Sequence, residues 1–311
     1  MLRRRERVVE AGDGTSLYAR LTQGPRAQGT PLVCANGVGV STIFWRYLEE
    51  DFAAEHPVVA WDYRGHGRSE FPRDLEGLTI EANADDMARV LDAFGIERAV
   101  CLGHSMGCQV VYTFAHRHPE RAAALVPMLG AVGRPVHTFL DAELPSLLAF
   151  LFAHGVVRRF PEPIRRGQRR LLTSRVGRRL ASRIARLSGL VHAERMPQED
   201  LDAYLDHFGV LAPIVFFKMA EKMATHTAAP YLPEIEAPTL VVAGERDVFT
   251  PLYLSEEAVD RLPNARLFVL PEGSHAALVE QPEALHAELR RFLREAGLSA
   301  PDSAASQPRV A

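Results

Sequence analysis

The sequence predicts an α/β fold: a mostly parallel, eight-stranded sheet with helices on both faces and a helical cap inserted between two of its strands. Three observations carry this. Up to Met128, short apolar runs of strand length alternate with amphipathic helical stretches. From about Gly130 to Pro230 the alternation stops, and the chain reads as helix with no convincing strand. Beyond that block the alternation resumes as strand, helix, strand and helix. Runs such as PLVCA and PVVAW are apolar on both faces, which suits strands buried under helices on either side.

Taken in order, Arg7–Glu10 and Ser16–Leu21 are alternating runs around Gly12-Asp13-Gly14, the pattern of a β-hairpin. Pro31–Ala35 is a strand, followed by the turn Asn36-Gly37-Val38-Gly39 and a helix from about Ile43 to Ala54. Pro57–Trp61 is the next strand. Thr79–Phe94 keeps helical spacing through Ile80, Ala84, Met87, Val90, Leu91 and Phe94, with Thr79 placed to cap it. Arg98–Leu102 and Ala122–Met128 read as strands with a helix over Met106–His116 between them. After the helical block come a strand at Pro238–Ala243, a helix near Leu252–Leu262, a strand at Arg266–Leu270 and a helix from about Glu280 to Glu295. The expected division is a core of residues 1–130 and 231–298, a cap of residues 131–230, and a frayed tail of residues 299–311 rich in Ala, Ser and Pro.

Bulk properties narrow the function classes. The chain has 311 residues, 47% of them apolar and 24% charged, the profile of an ordinary globule. A net charge of -3 gives no case for a nucleic-acid partner. Cys34, Cys101 and Cys108, an odd number on regular elements, read as buried free thiols. The basic start MLRRRERVVEAGDG has no apolar stretch after it, and no run of about eighteen apolar residues occurs, so a cytoplasmic protein without a membrane span is expected.

The chemistry lies at strand ends. Gly103-His104-Ser105-Met106-Gly107 fits G-x-S-x-G, after a strand and before a helix. Such a turn exposes the serine Oγ at the carboxyl edge of the sheet, and the glycines let backbones approach closely. A serine needs a base. His275 follows the Arg266–Leu270 strand in Pro271-Glu272-Gly273-Ser274-His275, and Asp247 follows the preceding strand in Gly244-Glu245-Arg246-Asp247. The order Ser105, Asp247, His275 is that of a nucleophile, an orienting acid and a general base on this kind of sheet.

With these residues in place the sequence resembles the α/β-hydrolase superfamily over nearly the whole chain outside the cap. Asp62-Tyr63-Arg64-Gly65-His66-Gly67-Arg68-Ser69 is similar to that superfamily's D-x-R-G-x-G-x-S loop and is read as structural; His66 and His104 are likewise assigned to loop patterns and not to catalysis. The resemblance implies an oxyanion hole of two backbone amides, Met106 and Val38. Asn36-Gly37 stands where the superfamily has His-Gly, so Asn36 must brace that loop if the hole is to keep its shape. Haloalkane dehalogenases and epoxide hydrolases of the superfamily use an aspartate nucleophile; Ser105, and Gly39 where epoxide hydrolases carry proline, weigh against both.

The implied reaction is acyl transfer through a Ser105 acyl-enzyme, with no metal or organic cofactor, on a small-molecule ester of small to medium apolar acyl groups. C–C bond hydrolysis, lactonase, thioesterase, perhydrolase and acyltransferase activities share these residues, and a non-catalytic ligand receptor is a rival of another class. The cap's apolar clusters Phe139-Leu140, Leu147–Phe152, Phe208–Leu211 and Ile214–Phe217 read both as core and as an acyl pocket. Arg158 to Arg186 holds eleven arginines and one acid, Glu162, with Leu172, Val176, Leu180, Ile184 and Leu187 as an apolar stripe and Gly177 as an interruption. A solvated cap face is favoured there over contact with a membrane surface or an anionic substrate.

Overall fold

The structure is a computed structural model that describes residues 1–133 and 143–299. The Phe139-Leu140 cluster and the Ala300–Ala311 tail lie outside the described residues. The strands are β1 (Arg3–Glu10), β2 (Ser16–Gln23), β3 (Leu32–Ala35), β4 (Val58–Trp61), β5 (Ala99–His104), β6 (Ala122–Met128), β7 (Thr239–Gly244) and β8 (Ala265–Leu270). They form one eight-stranded sheet in the order β1-β2-β4-β3-β5-β6-β7-β8. Both pairings of β2 are antiparallel, and every pairing from β4 to β8 is parallel.

Strand order places the site. After β3 the chain moves outward to β4, then returns to β5 on the other side and continues through β6, β7 and β8. The order therefore reverses between β3 and β5, and the crevice at the carboxyl ends of those two strands is the natural place for a ligand. Every residue of β3, β4, β5, β6 and β7 is buried, because helices cover both faces.

One face is covered by α2 (Ile80–Phe94) and α3 (Met106–Arg117), which bury Met87, Leu91, Val110 and Phe114. The other is covered by α1 (Arg46–Phe52) and a C-terminal helix described below, through Phe52, Leu289 and Phe292. Burying each such side chain contributes about 1.5–3 kcal/mol. Thr79 caps α2 by accepting from the Ala82 amide, and Gly95 ends it in the left-handed region at φ 70°. All three cysteines are free and buried.

Five helices form the cap: α4 (Glu143–Arg159), α5 (Pro161–Thr173), α6 (Arg175–Leu187), α7 (Gln198–Val210) and α8 (Pro213–Thr225). The chain enters and leaves it through an antiparallel bridge between Gly133 and Thr227. The cap is pinned to the core where Arg46 and Tyr47 bond Asp200 and where Lys218 and Lys222 pair with Glu76. No single helix among the described residues is long and apolar enough to cross a membrane.

Four boundaries differ from the sequence reading. β1 starts at Arg3, since its exposed arginines belong to a charged edge strand that pairs with β2 along its length. The helix expected from Ile43 begins as a 3-10 turn, Thr42–Trp45. After α9 (Leu252–Arg261), the final helix is α11 (Pro282–Glu295), close to its expected bounds, and a short helix not expected from the sequence, α10 (Ala277–Glu280), ends just before Pro282. The arginine-rich segment breaks at Ser174, whose hydroxyl accepts from the Gly177 amide, and not at Gly177. Gly177 packs in the first turn of α6, where a Cβ would lie 2.0 Å from the Leu171 carbonyl oxygen.

Candidate active site

Ser105 joins β5 to α3 in the left-handed region, at φ 56° and ψ −117°. A side chain held there costs on the order of 1–3 kcal/mol, which the surroundings must supply. They do so by locking the turn. The Ser105 amide donates to Met128 O at 3.0 Å and the Cys108 amide to Ser105 O at 3.0 Å. The glycines of the motif lie where no Cβ fits: one on Gly103 would be 2.3 Å from Gly107 O, and one on Gly107 would be 2.2 Å from Ala35 O. The helix thus begins hard against β3. Met106 is its first residue, so its N–H has no acceptor within the helix.

His275 and Asp247 meet Ser105 from β8 and β7. His275 Nε2 is 2.9 Å from Ser105 Oγ, and His275 Nδ1 is 2.8 Å from Asp247 Oδ2. Asp247 is buried, and three donors hold it: the Phe249 and Thr250 amides on Oδ1, at 2.8 and 3.0 Å, and the Thr250 hydroxyl on Oδ2, at 2.7 Å. Burial alone would raise its pKa; the attraction and hydrogen bond of His275 and the Thr250 donors outweigh that and keep the carboxyl below its usual range. An ionised Asp247 facing Nδ1–H fixes the tautomer in which Nε2 is free to accept the Ser105 proton.

Residues 30–282 match the α/β hydrolase fold family. The chain belongs to that family. A RutD protein of Azorhizobium caulinodans, named as a carbamate hydrolase, is 31% identical to it over 86% of this chain and 92% of that protein. Epoxide hydrolase B of Mycobacterium tuberculosis is 27% identical over 90% of this chain and 96% of that enzyme. Among solved structures, Est816, described as an N-acyl homoserine lactone degrading enzyme, is 26% identical with a TM-score of 0.70, over 92% of this chain and all of that one.

Where this α/β hydrolase departs from its superfamily's loop, Asn36 serves as the brace. Its amide donates to Trp61 O at 2.6 Å and its carbonyl accepts from the Trp45 indole at 2.7 Å, with the side chain fully buried. The next residue, Gly37, backs onto Ser105: a Cβ there would be 3.1 Å from Ser105 Cβ. Asn36→Ala would leave the Trp45 N–H and the Trp61 carbonyl unpaired in the core. It should lower stability by about 2–5 kcal/mol by urea titration.

Two histidines that the sequence assigns to loop patterns tie the loops around Ser105 together. His104 Nε2 donates to His275 O at 2.9 Å, tying the Ser105 turn to the His275 loop. His66 Nε2 accepts from the Gly39 amide at 3.1 Å while its Nδ1 donates to Arg64 O, so the loop after β4 holds the loop after β3. Ser274 bonds Glu280, which also accepts from the cap's His192 amide, and this fixes the turn ahead of His275. No spacing rule exposes the His104–His275, His66–Gly39 and Glu280–His192 contacts, since each runs to a backbone atom of a distant segment.

Both positioning histidines are neutral. Burial pushes His66 and His104 down to about 3, and His207, against His66, down to about 4. An unfolded histidine titrates near 6.5, so below that pH the unfolded chain binds more protons than the native one. Their stabilisation is complete above about pH 6.5 and is lost as pH falls toward the folded values. Each should cost about 1.4 kcal/mol per pH unit below that point. The melting temperature should drop between pH 7 and pH 5, and less steeply in His207→Phe; a flat profile would refute neutral burial.

Aromatic side chains form a wall that runs from His104 into α7 and α8. Phe44 lies 6.0 Å from His104 and 5.8 Å from Tyr204, and Tyr204, Phe208, Phe216 and Phe217 follow at 5.4 to 5.9 Å. Phe208 and Phe216 sit directly over Gly39, and Phe249 packs 4.9 Å from His275.

Proposed function

We propose that this protein is a serine hydrolase that cleaves carboxylic esters of small to medium apolar acyl groups. The observation that carries the reading is the hydrogen-bonded series Ser105, His275, Asp247, at 2.9 and 2.8 Å, on a serine held in a strained turn. His275 takes the Ser105 proton as Oγ attacks the ester carbonyl, giving a tetrahedral intermediate whose oxyanion lies between the Met106 and Val38 amides. The intermediate collapses with proton transfer from His275 to the leaving alcohol. Water, deprotonated by the same imidazole, then cleaves the acyl-enzyme and returns the proton to Ser105. The aromatic wall of Phe44, Phe208, Phe216 and Phe249 is the acyl pocket. Ser105 in the nucleophile position, where epoxide hydrolases have aspartate, supports ester over epoxide chemistry despite the epoxide hydrolase relatives.

The likeness to RutD and to Est816 favours carbamates and lactones as second substrate classes for the same acyl chemistry. One panel tests the reading: p-nitrophenyl esters of increasing chain length beside a thioester, a lactone and a carbamate, together with fluorophosphonate labelling mapped by mass spectrometry. Labelling at Ser105 and a maximum among the shorter esters is the expected result. Failure to label Ser105 would overturn it, and a lactone or carbamate turned over faster than every ester would reassign the substrate.

A further inference from the structure

The helix α6 is inverted. Its small residues Gly177, Ala181, Ser182 and Ala185 are buried or half-buried against the protein. Its large apolar residues face solvent instead: Val176 is 79% exposed, Leu180 and Ile184 are each 54%, and Leu187 is 83%. These four recur at helical spacing and form one outward stripe. Arg175, Arg179 and Arg183, all exposed, run alongside it. The adjoining helix α5 buries only the line Ile164, Gln168 and Leu172 and exposes Arg165, Arg166, Arg169 and Arg170. Beyond α5, α4 turns Leu148, Leu151, Phe152 and Val156 outward as a second apolar stripe.

A soluble helix facing water has no reason to point its leucines and isoleucine outward and its alanines inward. An amphipathic helix lying in a lipid interface has that reason, with apolar side chains entering the acyl boundary and arginines at headgroup level. Charge selects the headgroup. Residues 158–186 hold eleven arginines against the single acid Glu162, although the whole chain is at -3. The rest of the molecule is thus acidic and is repelled by an anionic surface, which orients the protein cap first. Among the described residues only Arg165 and Arg178 of this segment pair with carboxylates, Glu162 and Asp206. A second copy of the chain is a poor occupant, because a two-fold contact would set one arginine face against its like. We propose that the outward face of α5 and α6 docks on an anionic phospholipid surface.

The test uses the full chain and vesicles of phosphatidylcholine, alone or mixed equally with phosphatidylglycerol, in a sedimentation assay. Binding to the mixed vesicles and little to phosphatidylcholine alone is expected, since each arginine near an anionic surface raises affinity about fivefold. Binding should weaken about tenfold or more as salt is raised from low to physiological and beyond. Leu180→Glu/Ile184→Glu and Arg179→Glu/Arg183→Glu should each lose about a hundredfold in vesicle affinity while keeping the wild-type melting temperature, because all four positions are exposed. Equal binding to both vesicle types, no binding to either, or unchanged binding by both variants would overturn the proposal. A wild-type dimer that the leucine-isoleucine variant converts to monomer in sedimentation velocity would also overturn it and give the face to a second copy. None of these readouts depends on ester hydrolysis.

Discussion

Ser105→Ala should reduce kcat toward the preferred ester by about a millionfold, and Asp247→Asn by about ten-thousandfold, with little change in KM for either. The serine effect follows from loss of the attacking atom. The asparagine effect follows from the donors around Asp247. The Phe249 and Thr250 amides fix an acceptor at Oδ1, so the asparagine carbonyl stays there and its NH2 takes the place of Oδ2. That NH2 faces His275 Nδ1, now 2.8 Å from a donor where it had an acceptor. The imidazole must then carry its proton on Nε2, pointing at Ser105 Oγ, and cannot act as base. The two losses belong to one unit, so the double variant should be no slower than Ser105→Ala alone. Turnover by Ser105→Ala near the wild-type rate, or additive losses in the double variant, would sink the assignment.

What made the site legible was its position relative to strands. Ser105, Asp247 and His275 each follow a run apolar enough to be recognised as buried strand, and strand ends on one edge of a parallel sheet converge whatever the intervening length. The same logic could not reach His104 or His66, whose partners are the carbonyl of His275, 171 residues away, and the amide of Gly39. Thr250 was hidden for a related reason: a threonine three residues past an aspartate is common, and only the folded turn shows its hydroxyl on Oδ2. In the cap, spacing revealed a stripe on α6 but not which side of the helix meets the protein. Close packing through Gly177, Ala181, Ser182 and Ala185 decided that and turned the larger residues outward. A periodic pattern fixes a face, and only the neighbours fix its direction.

Gly107→Ala should be strongly damaging for a single added methyl group. The added Cβ would lie 2.2 Å from the Ala35 carbonyl oxygen and 3.0 Å from that of Asn36. Both are backbone atoms of β3 and its loop, and neither can rotate away as a side-chain tip could. Relief requires α3 to back off β3 by about 1 Å, which costs about 3 kcal/mol or more. The same shift carries the Met106 amide and Ser105 away from Val38, and a displacement of that size lowers kcat about a hundredfold even in the folded fraction. Gly167→Ala is the control. Gly167 is exposed within α5 and a Cβ there meets nothing within 4 Å, so that change should raise stability by about 0.5–1 kcal/mol through helix propensity and leave kcat alone. Chemical denaturation and active-site titration separate the two consequences for Gly107→Ala. If its folded fraction turns over at the wild-type rate, the tight approach of α3 to β3 serves stability only; if stability and kcat fall together, the contact that seats the helix also aims the nucleophile.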